Sequence, residues 1–276
     1  MRFGRFSYTL ALSSLFVGSS ALADIQAGLD ALDAGDVAVA ATEFQSAFQD
    51  GNGDGAFYLG RLFEFGLGAE KDMTRAANLY AAAAEAGSVN AMNRLGLLYL
   101  EGTTLLKDYA LARENFCKAA EIGDQNGQLN CALMLKEGRG GEAEIERAAE
   151  LLQAAGDQGN IAAKNLLAAM YQSGDGVAED MSKAMVLFNE TADAGNAMGL
   201  FEVAKYHGVG TSDRAADYVK AYAFANLAAV RNMAAALEYR DQLEESMTEE
   251  EIAAAQRLSQ EWTAERIASQ VNQGQN

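Results

Sequence analysis

The sequence predicts an all-α fold: a right-handed solenoid (superhelix) of short helical hairpins with capping helices at both ends. Three observations predict it. First, glycine keeps a beat of 36 residues, in Gly51, Gly87, Gly123, Gly159 and Gly195 and again in Gly66, Gly102, Gly138, Gly174 and Gly210. A fixed period between 20 and 50 residues is the mark of a solenoid or an array. Second, a small residue and then a large one recur between the two glycine series. The pairs Leu59-Gly60, Leu95-Gly96, Cys131-Ala132, Leu167-Ala168 and Val203-Ala204 are each followed, three residues on, by Phe63, Tyr99, Leu135, Tyr171 and His207. These positions fall on one face of a 3.6-period helix. Third, the 276 residues contain 27 glycines and no proline, so every turn is left to glycine or a polar residue. Thirty-six residues then hold two helices and two turns, with glycine at the helix ends where positive φ is needed.

The elements follow in chain order. Residues 1–23 read as a secretory signal peptide. Arg2 and Arg5 give a positive start, Thr9 to Gly18 is mostly apolar, and Ala21-Leu22-Ala23 fits the small-x-small cleavage rule. Cleavage after Ala23 would remove two arginines and no acid, deepening the net charge from −18 to −20. No later stretch is apolar for long enough to span a bilayer, so a periplasmic or secreted soluble protein is expected. Residues 24–52 read as an N-terminal helical cap, turning at Gly35-Asp36. Residues 53–232 hold about five repeats. Each second helix carries an alanine (Ala76, Ala112, Ala148, Ala184, with Ala221 one residue out of step) and a large residue four later (Tyr80, Phe116, Leu152, Phe188). Residues 233–276 read as C-terminal capping helices. Thr248-Glu249-Glu250-Glu251 is a capping box, and Ile252, Leu258, Trp262 and Ile267 follow it. A terminal helix is needed to cover the last repeat face.

Blocks such as Asn90-Ala91-Met92-Asn93-Arg94-Leu95-Gly96-Leu97-Leu98-Tyr99-Leu100-Glu101-Gly102, with Lys107-Asp108 and Ala119-Ala120-Glu121-Ile122-Gly123 after them, resemble Sel1-like repeats, a tetratricopeptide-related family. Gly174-Asp175-Gly176-Val177-Ala178-Glu179-Asp180 with Lys183-Ala184 is the best match to the family's loop. The resemblance spans residues 36–232, with departures. Gly102-Thr103-Thr104 lacks the second loop glycine, Glu144 stands where the pattern has Asp, and the fifth copy has His207 and one extra residue before Asp217.

Chemistry-bearing residues are few. One histidine and two cysteines cannot build a zinc cage of four cysteines, or of two cysteines and two histidines, and no metal or cofactor is expected. Asp50-Gly51-Asn52-Gly53-Asp54-Gly55 matches the start of an EF-hand loop, but loop position twelve is Arg61 where calcium needs a bidentate acid. The stretch is read as an inter-repeat turn. His207 stands at a ring position with no nucleophile in defined relation to it, and is read as packed. The motifs G-x-S-x-G, H-E-x-x-H, the P-loop and S-x-x-K are absent, so no catalytic residue is assigned. Cys117 lies six residues before Gly123 and Cys131 eight after it, which sets them face to face across a hairpin. In an oxidising compartment a disulfide is expected, with two buried thiols as the alternative because Cys131 occupies a core leucine position. The bond would resemble the helix-pair disulfides of the cysteine-rich Sel1 subfamily, whose spacing is tighter.

The negative charge argues against nucleic acid, whose phosphates call for lysine and arginine, and against an anionic membrane surface. What remains is the groove. If the register follows the tetratricopeptide fold, the concave helix-A face shows Phe57, Arg61, Phe65, Asn93, Leu97, Leu129, Leu133, Asn165 and Phe201. Apolar side chains alternating with asparagines suit a protein or peptide partner; the alternative is that Leu97, Leu129 and Leu133 only pack between repeats. The resemblance implies a non-enzymatic adaptor, of a kind that could regulate an envelope complex or sensor; a monomer is expected. Its rival is a cell-wall or β-lactam-directed hydrolase of the cysteine-rich Sel1 type, and a third reading is self-association through the C-terminal helix.

Overall fold

A computed structural model describes residues 20–273, and among them there are fourteen helices and no strands. Most of the expected signal segment, residues 1–19, lies outside the described residues. The chain divides into two compact units between Asn115 and Phe116.

The first unit contains α1 (Ser20–Asp33), α2 (Val37–Gln49), α3 (Gly53–Phe65), α4 (Met73–Glu85), α5 (Val89–Glu101) and the start of α6 (Tyr109–Glu121). Each helix packs on the one before it from α2 to α5. Gly66 and Gly102 end α3 and α5 at φ of 69° and 70°, the left-handed region in which glycine carries no Cβ penalty. Asn52 and Ser88 cap α3 and α5 by accepting backbone N–H groups, and Asp72 and Asp108 do the same for α4 and α6. The core gathers Ala56, Ala76, Tyr80, Ala83, Ala91 and Leu98, all buried. Small residues let the helices approach. A Cβ on Gly60 would lie 2.6 Å from the Tyr80 ring, and one on Gly55 would lie 2.4 Å from the Phe44 carbonyl oxygen.

The second unit continues with the end of α6, then α7 (Gln125–Lys136), α8 (Ile145–Asp157), α9 (Ile161–Ser173), α10 (Met181–Asp193), α11 (Ala197–Gly208), α12 (Tyr218–Ala229), α13 (Ala234–Glu244) and α14 (Glu249–Gln273). Asp124, Asn160 and Asn196 cap α7, α9 and α11, so helix-A caps keep the same 36-residue beat as Asn52 and Ser88. Among the second helices, Asp180 and Asp217 cap α10 and α12 as Asp72 caps α4, whereas Glu144 accepts from Arg147 and does not cap α8. Cys117 and Cys131 form a disulfide between α6 and α7, with Cα atoms 4.9 Å apart.

The fifth hairpin ends its first helix differently. Val209 follows α11 in an extended conformation instead of a left-handed glycine. Arg214 takes over the cap, its Nη2 donating to the carbonyls of Tyr206 at 2.6 Å and Val209 at 2.7 Å. Its guanidinium also lies 4.1 Å from the Tyr206 ring centroid. The extra loop residue of this copy is thus accommodated by a side chain that satisfies carbonyls left open at a helix end. At the C-terminus, Thr248 and Glu251 form the reciprocal capping box. α14 packs on α12, where the Ser259 hydroxyl donates to the Ala223 carbonyl at 3.2 Å. Trp262 joins the core of Phe188, Leu200, Val203 and Leu227.

Candidate functional site

The residues of the expected partner-binding face fall into two sets, one in each unit. In the first unit Phe57, Arg61 and Phe65 lie on α3. Phe57 packs inward, only 9% exposed, with its ring 5.2 Å from Tyr58 and 5.6 Å from Tyr80. Phe65 is 56% exposed and Leu97 of α5 is 38% exposed, while Asn93 is half-buried. The Arg61 guanidinium lies 4.5 Å from the Phe65 ring centroid and 5.9 Å from that of Phe57. Such stacking holds a cation in place while leaving its edge for a ligand. A cavity of about 410 Å³ opens beside it, walled by Leu29 and Leu32 of α1 and by Tyr58 and Leu62 of α3.

In the second unit Leu129, Leu133, Asn165 and Phe201 are half-buried. Asn165 has both ends of its amide engaged within the protein. Its Oδ1 accepts from Thr191 at 2.7 Å and its Nδ2 donates to Asn196 at 2.9 Å, joining α9 to α10 and to the cap of α11. The Phe201 ring meets Tyr239 edge-on at 5.9 Å, and Lys205 lies 5.2 Å over its face.

Sequence reasoning missed a buried polar cluster in the first unit. Glu64 of α3 accepts from the Tyr80 hydroxyl and from Arg94 Nη2 at 2.5 Å, and Arg61 Nε lies 3.9 Å away. Burial pushes the Glu64 carboxyl up, but the hydrogen bonds from Arg94 and Tyr80, with the Arg94 and Arg61 charges, outweigh it and hold it below the usual carboxylate range. Burial and the neighbouring Glu64 raise Tyr80. The available signal was weak: the other copies carry Phe116, Leu152 and Phe188 where Tyr80 stands.

Also missed was an apolar cavity of about 870 Å³ between α2, α3 and α4, with Leu59, Leu62 and Leu79 among its walls. A groove at the corresponding place in the second unit, about 440 Å³, is bounded by Val177. Ala69 holds the Val177 place three periods earlier, and Ala38 and Thr42 hold the places of Glu146 and Glu150.

His207 is packed. Its ring stacks on Phe224 at 6.0 Å and meets Tyr206 edge-on at 5.7 Å. Burial first, then the Lys220 and Arg214 charges, lower its pKa against the opposing pull of Asp217. The EF-hand-like stretch forms the turn from α2 into α3. Asn52 caps α3, and the Asp54 carboxylate accepts from the Ser88 hydroxyl at 2.5 Å. Among the described residues no helix is long and apolar enough to cross a membrane.

Helices paired in series, capped at a constant beat and closed by a terminal helix define a helical-hairpin repeat protein. The Sel1 repeat model matches residues 53–88, 89–124, 125–160, 161–196 and 197–229, and the chain belongs to the Sel1 repeat family. Proteins of this family generally serve as scaffolds for protein–protein interaction. A protective antigen present in uropathogenic Escherichia coli strains, which displays an SLR fold, is 25% identical with a TM-score of 0.76. The match covers 90% of this chain and 54% of the antigen, so this chain spans about half the antigen's length. A Sel1 repeat protein from Oxalobacter formigenes shares the fold at 24% identity and a TM-score of 0.71, over 78% of this chain and 88% of that one. No curated protein matches the sequence.

Proposed function

We propose that this chain is an exported, non-enzymatic scaffold that binds a partner protein or peptide through the helix-A faces of its hairpins. The observation that carries the reading is the pairing of exposed apolar side chains, Phe65 and Leu97, with a stacked cation, Arg61, on the first helices of a Sel1 repeat array. Apolar pockets with a few polar groups that fix orientation are how helical repeats take peptides. In the second unit the reading rests mainly on Leu129, Leu133 and Phe201, because the Asn165 amide already bonds Thr191 and Asn196.

Export is supported by the charged start, apolar stretch and Ala21-Leu22-Ala23 of the N-terminus. The Cys117–Cys131 pair suits an oxidising compartment such as the periplasm. Fractionation with N-terminal sequencing tests this: Asp24 as the first residue of a periplasmic form supports export, and an intact Met1 terminus in the cytoplasm refutes it. The binding reading is tested by crosslinking pull-down from envelope extracts, comparing the wild type with the double variant Phe65→Glu, Leu97→Glu, which changes two exposed side chains. Loss of the captured protein is expected, and unchanged capture sinks the proposal. Labelling by a fluorescent penicillin or a serine-directed probe should be negative; a covalent adduct would favour a hydrolase instead.

A further inference from the structure

The side chain of Arg61 is 41% exposed, and its ion pair is a loose one, 3.9 Å from Glu64. Glu64 is already committed, because its two oxygens accept from Tyr80 and from Arg94. The guanidinium therefore keeps donors to offer, and its carbon lies 4.5 Å from the Phe65 ring centroid and 5.9 Å from that of Phe57. Directly beside it the cavity of about 410 Å³ presents Leu29, Leu32, Tyr58, Leu62 and Leu67, and Leu67 is 43% exposed.

Charge complementarity selects the occupant. The chain as a whole is strongly acidic, at −18, and repels anions at long range. A cation with unspent donors at the mouth of an apolar pocket reverses that locally. It matches a carboxylate, which an arginine fork takes in bidentate fashion. The pocket beside it matches a bulky apolar side chain. The two subsites adjoin so closely that Phe57 and Phe65 serve both, stacking on Arg61 and lining the pocket. A terminal residue fits that spacing, since its carboxylate and its side chain leave the same Cα.

We propose that the α1–α3 pocket receives the free C-terminus of a partner polypeptide ending in a bulky apolar residue, with Arg61 binding the carboxylate and the pocket the side chain. This deepens, and rests on, the helix-A reading above. The probes are fluorescein-labelled Gly-Ser-Gly-Ser peptides extended by a final Leu, Phe or Ala, each as free acid and as amide, titrated into the full chain by fluorescence anisotropy. The Leu and Phe acids should bind, and the amides and the Ala acid should bind about 10- to 100-fold more weakly, the range expected for losing a charged hydrogen bond or a filled pocket. Arg61→Gln should lose the same factor for the acids and leave the amides unchanged. Arg75→Gln, at an arginine stacked on Phe63 instead, should bind as the wild type does. Equal binding of acid and amide, wild-type binding by Arg61→Gln, or no binding of either acid overturns the proposal. A partner captured through the helix-A faces while no chain-end peptide binds would overturn this inference alone and leave the broader reading standing.

Discussion

At the scale of single residues, the first unit holds one concentrated polar investment, the Glu64–Tyr80–Arg94 cluster. Tyr80→Phe removes one donor from a buried carboxylate and should cost about 1–2 kcal/mol in urea unfolding. The pH dependence follows from the lowered Glu64 pKa. A carboxyl whose folded pKa is depressed contributes stability that is fully present above its unfolded pKa. That contribution is lost as pH falls through the lower, folded pKa. The stability gap between wild type and Glu64→Gln should therefore be widest near neutrality and shrink below pH 4.5, the ordinary glutamate value; a gap independent of pH would contradict the assignment. Glycines separate two different costs. A Cβ on Gly199 would sit 2.6 Å from the Ala192 amide nitrogen and 2.8 Å from the Phe188 carbonyl oxygen, both backbone atoms of α10. Gly87 has open space but a φ of +88°. Gly199→Ala should lose roughly 1–3 kcal/mol by overpacking, while Gly87→Ala should lose about 1 kcal/mol from conformation alone. The glycine roles were legible because a period makes each one a member of a series. The Glu64 cluster was not, because it joins residues 16 and 30 positions apart with no counterpart in other copies.

At the scale of elements, the repeat is a capped hairpin, and each cap is a separate chemical solution. Polar residues following the positive-φ glycines, Asn52, Ser88, Asp124, Asn160 and Asn196, start the helix-A series. Their beat was present in the sequence and is as regular as that of the glycines. Arg214 was not legible as a cap, since a side chain reaching back to Tyr206 carries no spacing signal of its own. The Cys117–Cys131 bond closes a loop of 14 residues. Replacing both by serine should lower stability by about 3 kcal/mol, and native mass spectrometry should find no free thiol in exported protein. α14 is anchored by Trp262, whose ring lies 3.8 Å from the Arg266 guanidinium carbon and 5.4 Å from that of Arg231. Arg266 in turn reaches Asp193 of α10 at 2.5 Å. Trp262→Ala should cost about 2–3 kcal/mol, read by circular dichroism in urea, because it empties a place in the core of the last repeats.

At the scale of the whole molecule, the proline-free composition and the 36-residue beat determine that helices are short, numerous and joined by glycine turns. That is why the fold class could be read from sequence. The binding face was read less fully. Helical periodicity marks a stripe but cannot separate a side chain packed between helices, such as Phe57, from one left outside, such as Phe65. No spacing rule could have anticipated that the Asn165 amide bonds Thr191 and Asn196. The central claim is that the helix-A faces, and not the second helices, meet the partner. Its most direct test is a photo-crosslinking amino acid placed at Phe65 or Leu97, and as the comparison at Val186 of α10, which is 58% exposed. Irradiation in envelope extracts should give a discrete protein adduct from positions 65 and 97 and none from 186. An adduct from 186 alone, or equal adducts from all three, would contradict the claim.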